Sequence, residues 1–158
     1  MPKGEKWDFI LQKSVELGAT KIVPVMSQSC VTRLTPGDFE KKRDRYERII
    51  LSAAKQSGRG KIPALGELIG IKQAFDELAE QDFAIFCYEN AEIPLGTAVQ
   101  AAKNPSSVGV LIGAEGGFCG NEVEYAKGKG LLAYSPGGRI LRAETAAVAV
   151  LSAVSIIL

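Results

Sequence analysis

The residues best suited to chemistry stand in two glycine-rich clusters late in the chain. The first is Leu111-Ile112-Gly113-Ala114-Glu115-Gly116-Gly117-Phe118, where the apolar run Val108 to Ile112 breaks into three glycines set around one carboxylate. The second is Ser135-Pro136-Gly137-Gly138-Arg139-Ile140-Leu141-Arg142-Ala143-Glu144-Thr145. Glycines at the end of a strand remove Cβ atoms where a ligand must approach the backbone closely. Two strand ends that each open into a glycine loop and then a helix point to one small-molecule site built from both loops. Tight turns alone would explain one such loop, but two alike favour a site.

The clusters also limit the ligand. Neither holds G-x-G-x-x-G, and the first lacks the Lys-Ser/Thr of a phosphate-binding P-loop. Glu115 would repel phosphates. A ligand with a cation and an adenine-like plane fits better, and S-adenosylmethionine has that character. Arg139 and Arg142 flank the second loop. They suit stabilising developing negative charge, binding phosphate, or pairing with Glu144 or Glu115. Glu115 can balance the charge of a cationic ligand, act as a base, or hold the loop by accepting backbone N–H bonds. Glu144 and Thr145 open the last helix, where a carboxylate favours the dipole.

The elements that position these loops follow from length and pattern. The chain has 158 residues, 46% of them hydrophobic, which fits one compact domain with a proper core. Trp7, Ile10, Leu11, Val15 and Leu17 recur at helical spacing, and Gly18 is a good stop. Lys21 to Met26 reads as a strand with Pro24 near its edge. Asp38 can cap a long helix running to about Ser57, apolar on one side and basic on the other. Gln56-Ser57-Gly58-Arg59-Gly60 then reads as a mobile, basic loop. A helix at Lys72–Glu80 precedes a strand at Phe83–Tyr88, and a helix at Gly96–Lys103 stops at Asn104-Pro105. Strand 107–112, a helix at 121–129, strand 131–134 and a C-terminal helix complete the order. Short apolar strands alternating with helices predict an α/β fold, a mostly parallel sheet covered on both sides.

Charge and composition exclude several classes. Net charge is +1, yet residues 1–61 hold 13 Lys/Arg against 7 Asp/Glu. A basic half offers a face to a polyanion, although solvated helix faces give the same counts. There is no histidine, so histidine triads and histidine-ligated zinc are excluded. Cys30, Cys87 and Cys119 are far apart and odd in number, which argues for a reducing compartment and against a disulfide framework. No metal is expected. The N-terminus has no signal-peptide core, and the apolar stretch after Glu144 is short of the roughly 20 residues that span a bilayer. A cytoplasmic protein without membrane contact is the expectation.

Both glycine clusters, with Glu122 after the first, resemble the two signature motifs of the ribosomal RNA small-subunit methyltransferase E family, in the SPOUT class of knotted methyltransferases. Lys3 to Gly18 resembles the first domain helix of that family, and Tyr46 through Gln56-Ser57-Gly58-Arg59 to Pro63 its basic helix and following loop. The resemblance covers nearly the whole chain in the same order. It implies a single SPOUT-like domain over residues 1–158 with a C-terminal trefoil knot. It implies S-adenosylmethionine against the loops after strands 83–88, 107–112 and 131–134, contacted by Leu111, Ile112, Gly113, Glu115, Gly116, Gly117, Tyr134, Gly138, Ile140, Leu141, Arg142 and Thr145. It implies a homodimer whose substrate is a uridine of 16S ribosomal RNA in the small subunit, methylated at N3. Arg142, Glu115 and Arg139 are the catalytic candidates, and Arg33, Arg45, Gln56, Ser57 and Arg59 the RNA-binding ones. The PUA-type barrel usual upstream in the family is expected to be absent. Ser27-Gln28-Ser29-Cys30 replaces the usual acidic-basic pair after the first strand, so an RNA contact is expected to be lost there.

Overall fold

The computed structural model describes Pro2, residues 4–30 and residues 33–156. Helix α1 spans Glu5–Glu16 and buries Trp7, Leu11, Ser14 and Val15. It ends as the sequence predicts: Gly18 takes φ 97°, the left-handed turn at which a side chain is strained.

Lys21 to Met26 is not one strand. It forms β1, Lys21–Ile22, and β2, Val25–Met26. β1 pairs in parallel with β3, Ala64–Leu65, and β2 with β4, Ile69–Gly70. Pro24 lies between the pairs and has no N–H to give a ladder. The register shifts across it, from Lys21 opposite Ala64 to Val25 opposite Ile69, which leaves an extra residue on the second segment.

The long helix expected from Asp38 is also divided. Thr35 caps a short helix, α2, Pro36–Glu40. The Thr35 hydroxyl accepts from the Asp38 N–H at 3.2 Å and donates to the Asp38 carboxylate at 2.7 Å. Asp38 is therefore the third helical residue of a capping box. The chain turns at Lys41 and Lys42 and resumes as α3, Arg43–Gln56.

The remaining elements are α4 (Ile71–Ala79), β5 (Phe83–Cys87), β6 (Ile93–Pro94), α5 (Leu95–Ala101), β7 (Val108–Ile112), α6 (Gly120–Gly128), β8 (Ala133–Ser135) and α7 (Ala143–Ser155). The main sheet has the order β6-β8-β5-β7, and every neighbouring pair is parallel. The expected α/β architecture is borne out. Alternation along β5 sets the two faces. Phe86 packs with Phe75 of α4, Phe118 and Val123 of α6. Ile85 and Cys87 point the other way, onto Leu95 of α5 and Val150 of α7. A third core joins α1 to α3 through Trp7, Leu11, Val15, Tyr46 and Ile50. The apolar C-terminal stretch is a core helix, with Ala143, Ala146, Ala147, Val150 and Val154 buried.

Burial pushes the Cys87 thiol up to about 12, far from the thiolate that reacts. Cys87 is expected to stay unalkylated by iodoacetamide at mildly alkaline pH until denaturant is added. Mass spectrometry of tryptic peptides reads this directly; labelling of the native protein at Cys87 would contradict the packing of β5.

The loop after α3 is tied down rather than mobile. The Arg59 guanidinium donates to the carbonyls of Val15 at 3.0 Å, Gly18 at 3.3 Å and Ala19. These carbonyls belong to the end of α1, where helices leave acceptors unpaired. Arg59→Ala removes charge-assisted bonds and is expected to cost about 2 kcal/mol. Urea unfolding measures it, and an unchanged midpoint would mean that the guanidinium holds nothing.

Candidate functional site

Strands β8, β5 and β7 lie side by side and run in one direction, so the segments that follow them meet at one end of the sheet. Both glycine clusters are there, together with Tyr88 and Glu89 after β5. This is the sheet end at which α/β folds bind ligands.

The two loops do different work. In the first, each glycine accommodates the protein itself. Gly117 has φ 65°, and a Cβ there would lie 2.3 Å from Glu89 Oε1. A Cβ on Gly116 would lie 3.0 Å from the Ser29 carbonyl oxygen, and one on Gly113 2.9 Å from the Phe118 ring. The Gly117 N–H donates to the Ala114 carbonyl at 2.9 Å, closing the loop on itself. These glycines therefore seat Glu89, Ser29 and Phe118.

The buried Glu122 carboxylate fixes this loop to the segment after β2. It is 4% exposed. One oxygen accepts from the Gln28 N–H at 2.9 Å and the other from the Cys119 N–H at 2.9 Å. The Cys119 thiol adds a weak contact to Gln28 Oε1 at 3.5 Å. Ser27 to Cys30 is thus a wall of the first glycine loop.

Glu115 stands at the tip of this loop and forms an ion pair with Lys6 of α1. Among the described residues neither Arg139 nor Arg142 is in an ion pair, so neither is held by Glu144 or Glu115. Both are exposed. Among the described residues one oxygen of Glu144, in the first turn of α7, is buried without a partner.

The second loop is open. A Cβ on Gly138 would meet nothing within 4 Å. Ile140 is 87% exposed. Among the described residues the N–H groups of Gly138, Arg139, Ile140 and Leu141 donate no hydrogen bond. A run of unpaired donors beside an exposed aliphatic side chain can take the edge and the face of a planar heterocycle.

Comparison with known proteins gives the same direction. A model described as an RNA methyltransferase domain matches residues 1–155. The chain belongs to the RNA methyltransferase domain family. The ribosomal RNA small subunit methyltransferase E of Bacillus subtilis (strain 168) is 34% identical over 160 residues, 98% of this chain and 62% of that protein. The protein of the same description from Mesomycoplasma hyopneumoniae (strain 232) is 34% identical over 150 residues, 95% of this chain and 64% of that one. The crystal structure of a ribosomal RNA small subunit methyltransferase E from Neisseria gonorrhoeae bound to S-adenosyl methionine superposes with a TM-score of 0.85 at 35% identity, over 99% of this chain and 62% of that one. The resemblance carried by the two motifs is borne out. The chain spans less than two thirds of the length of these relatives.

Within this RNA methyltransferase domain the other sequence candidates fall into distinct places. The Leu111 and Tyr134 side chains are buried in the two sheet-face cores, so only their backbone reaches the loop end. Ile112, Gly113 and Leu141 are half-buried, and Thr145 is exposed in the first turn of α7. Arg33 is exposed. Arg45 is exposed and forms an ion pair with Asp8. Gln56 and Ser57 are exposed at the end of α3, where the Ser57 hydroxyl donates back to the Ala53 carbonyl at 2.7 Å. Lys6, Ser29, Glu89 and Glu122 are site neighbours absent from the sequence candidates. Glu122 had a signal, since it stands three residues after Cys119 at the start of α6, the capping-box position. Lys6 and Glu89 had none, because only the fold brings them to the loop. Among the described residues no group of histidine, cysteine, aspartate or glutamate could hold a metal, and no helix is long and apolar enough to cross a membrane.

Proposed function

We propose that this chain is the methyl-transferring domain of an S-adenosylmethionine-dependent enzyme acting on N3 of a uridine in 16S ribosomal RNA. The observation that carries the reading is the open second loop, with unpaired donors at 138–141 and exposed Ile140, at the parallel strand ends. The family assignment and the cofactor-bound relative support it. Gly138, Ile140 and Leu141 would hold the cofactor, which when bound supplies the methyl group. Arg142 and Thr145 bound the same cradle.

The chain's own residues have three tasks. They align the base with the methyl group, which supplies much of the rate through proximity. They take the charge that grows on the uracil oxygens as the N3 proton leaves; exposed, unpaired Arg139 and Arg142 suit this. They hold the Glu115 carboxylate in place at the tip of the first loop, a task in which Lys6 takes part. The reading includes a knotted C-terminal segment, a cytoplasmic setting and a homodimer that covers exposed apolar groups of the C-terminal helix such as Ile156.

Transfer of labelled methyl groups from S-adenosylmethionine to 16S RNA in under-methylated small subunits tests the reading. N3-methyluridine in the digested RNA is expected. Methylation at another atom would overturn the N3 assignment. Cofactor binding without any transfer would favour a second reading, a module that binds cofactor or RNA but does not turn over.

A further inference from the structure

The cations of the N-terminal half are divided between two ends of the molecule, and only one end adjoins the glycine loops. Helices α1 and α3 run parallel. Near their starts Asp8 pairs with Arg45, and beyond their ends Arg59 reaches the carbonyls of Val15 and Ala19. The start of α1 is the loop end, since Lys6 pairs with Glu115. The start of α7 is at the same end, directly after the second loop. The segment after β2 arrives there too, with Ser29 against Gly116 and Gln28 on Glu122. Three helix N-termini, each a site of partial positive charge, therefore share the end that holds the glycine loops.

The free cations that the N-terminal half brings to that end can be named, beside the exposed carboxylates Glu5 and Asp44 in the first turns of α1 and α3. Asp38 and Glu40 occupy Lys41 and Arg43, Glu47 also faces Arg43, and Asp8 holds Arg45. Among the described residues Arg33, Lys42 and Arg48 are exposed and in no ion pair; Lys42 caps the start of α3, whereas Arg48 stands more than a turn into it. Arg33 follows Cys30 closely enough that the chain keeps it within about 11 Å of the wall of the first loop. Lys55 and Lys61 are equally exposed and unpaired, so charge alone does not choose between the ends. Position does. α3 has 14 residues and is about 21 Å long, about two and a half times the screening length at physiological salt.

We infer that the RNA backbone crosses the shared N-terminal end of α1 and α3, gripped by Arg33 and Lys42, and that the far end from Lys55 to Lys61 stays clear of it. The inference rests on the methyltransferase reading and adds where the substrate lies. It separates the RNA-binding candidates of the sequence: Arg33 and Arg45 are at the substrate end, whereas Gln56, Ser57 and Arg59 close the opposite end of the helix pair.

The test removes two positive charges at each end and compares them. Arg33→Gln/Lys42→Gln and Lys55→Gln/Lys61→Gln change net charge equally, and melting curves check that both remain folded. Binding of a labelled single-stranded RNA oligonucleotide is measured over a salt series with S-adenosylhomocysteine present. The first variant is expected to lose affinity about tenfold at physiological salt and to lower the slope of log affinity against log salt by about 1.4, the value for two contacts to a single strand. The second is expected to match wild type. Equal or greater loss in the second variant overturns the inference, as does full binding by both, and either result leaves the RNA methyltransferase reading standing. Absence of RNA binding by the wild-type chain sinks that reading and the inference together.

Discussion

Glu122→Ala is expected to lower the melting temperature by about 9 °C, the shift that about 3 kcal/mol produces in a chain of this size. The substitution leaves two amides, Gln28 N–H and Cys119 N–H, without the carboxylate that both now reach at 2.9 Å. Glu122 is buried, so water does not replace the lost acceptor without opening the loop. Glu122→Gln should recover part of the loss, because an amide oxygen still accepts from one of the two donors while its NH2 faces the other. Differential scanning calorimetry compares the three proteins. A melting point for Glu122→Ala within a degree of wild type would mean that the segment after β2 and the first glycine loop are not held together here.

Gly138→Val and Gly116→Val are expected to fail in opposite ways. Gly138 faces open space and has no left-handed φ, so valine should leave the fold and its melting point intact. Its methyl groups would fill the cradle beside Ile140, and affinity for S-adenosylhomocysteine should fall more than a hundredfold, roughly 3 kcal/mol or more. Valine at Gly116 would press on the Ser29 carbonyl, already 3.0 Å from an ideal Cβ, and overpacking of this kind costs about 1–3 kcal/mol. That variant should melt lower whatever it binds. Wild-type affinity in Gly138→Val would remove the second loop from the site.

Strands β5, β7 and β8 of the main sheet were legible because they are short and apolar, and because helices separate them. What was not legible has local causes. β3, β4 and β6 are two residues each, too short for alternation to register. The break at Pro24 depends on which neighbours lie beside Val25. Thr35-Pro36-Gly37-Asp38 does carry a capping-box signal, and the reading from Asp38 alone overlooked it. The glycine clusters both fall at one end of the main sheet. Their different roles did not show, because Gly116 and Gly138 differ only in what the fold brings to them: Ser29 in one case and open space in the other. Arg59 reads in sequence as a loop cation; its acceptors lie more than a helix away in the chain, and only packing shows that they consume it.

The central claim is that the open second loop binds S-adenosylmethionine. Isothermal titration of the wild-type chain with S-adenosylhomocysteine, with ATP and NAD as controls, tests it most directly. The account predicts saturable binding of one S-adenosylhomocysteine per chain, lost in Gly138→Val, and no heat from ATP or NAD. Absence of S-adenosylhomocysteine binding by the folded wild-type chain, or equal binding of ATP, would contradict it.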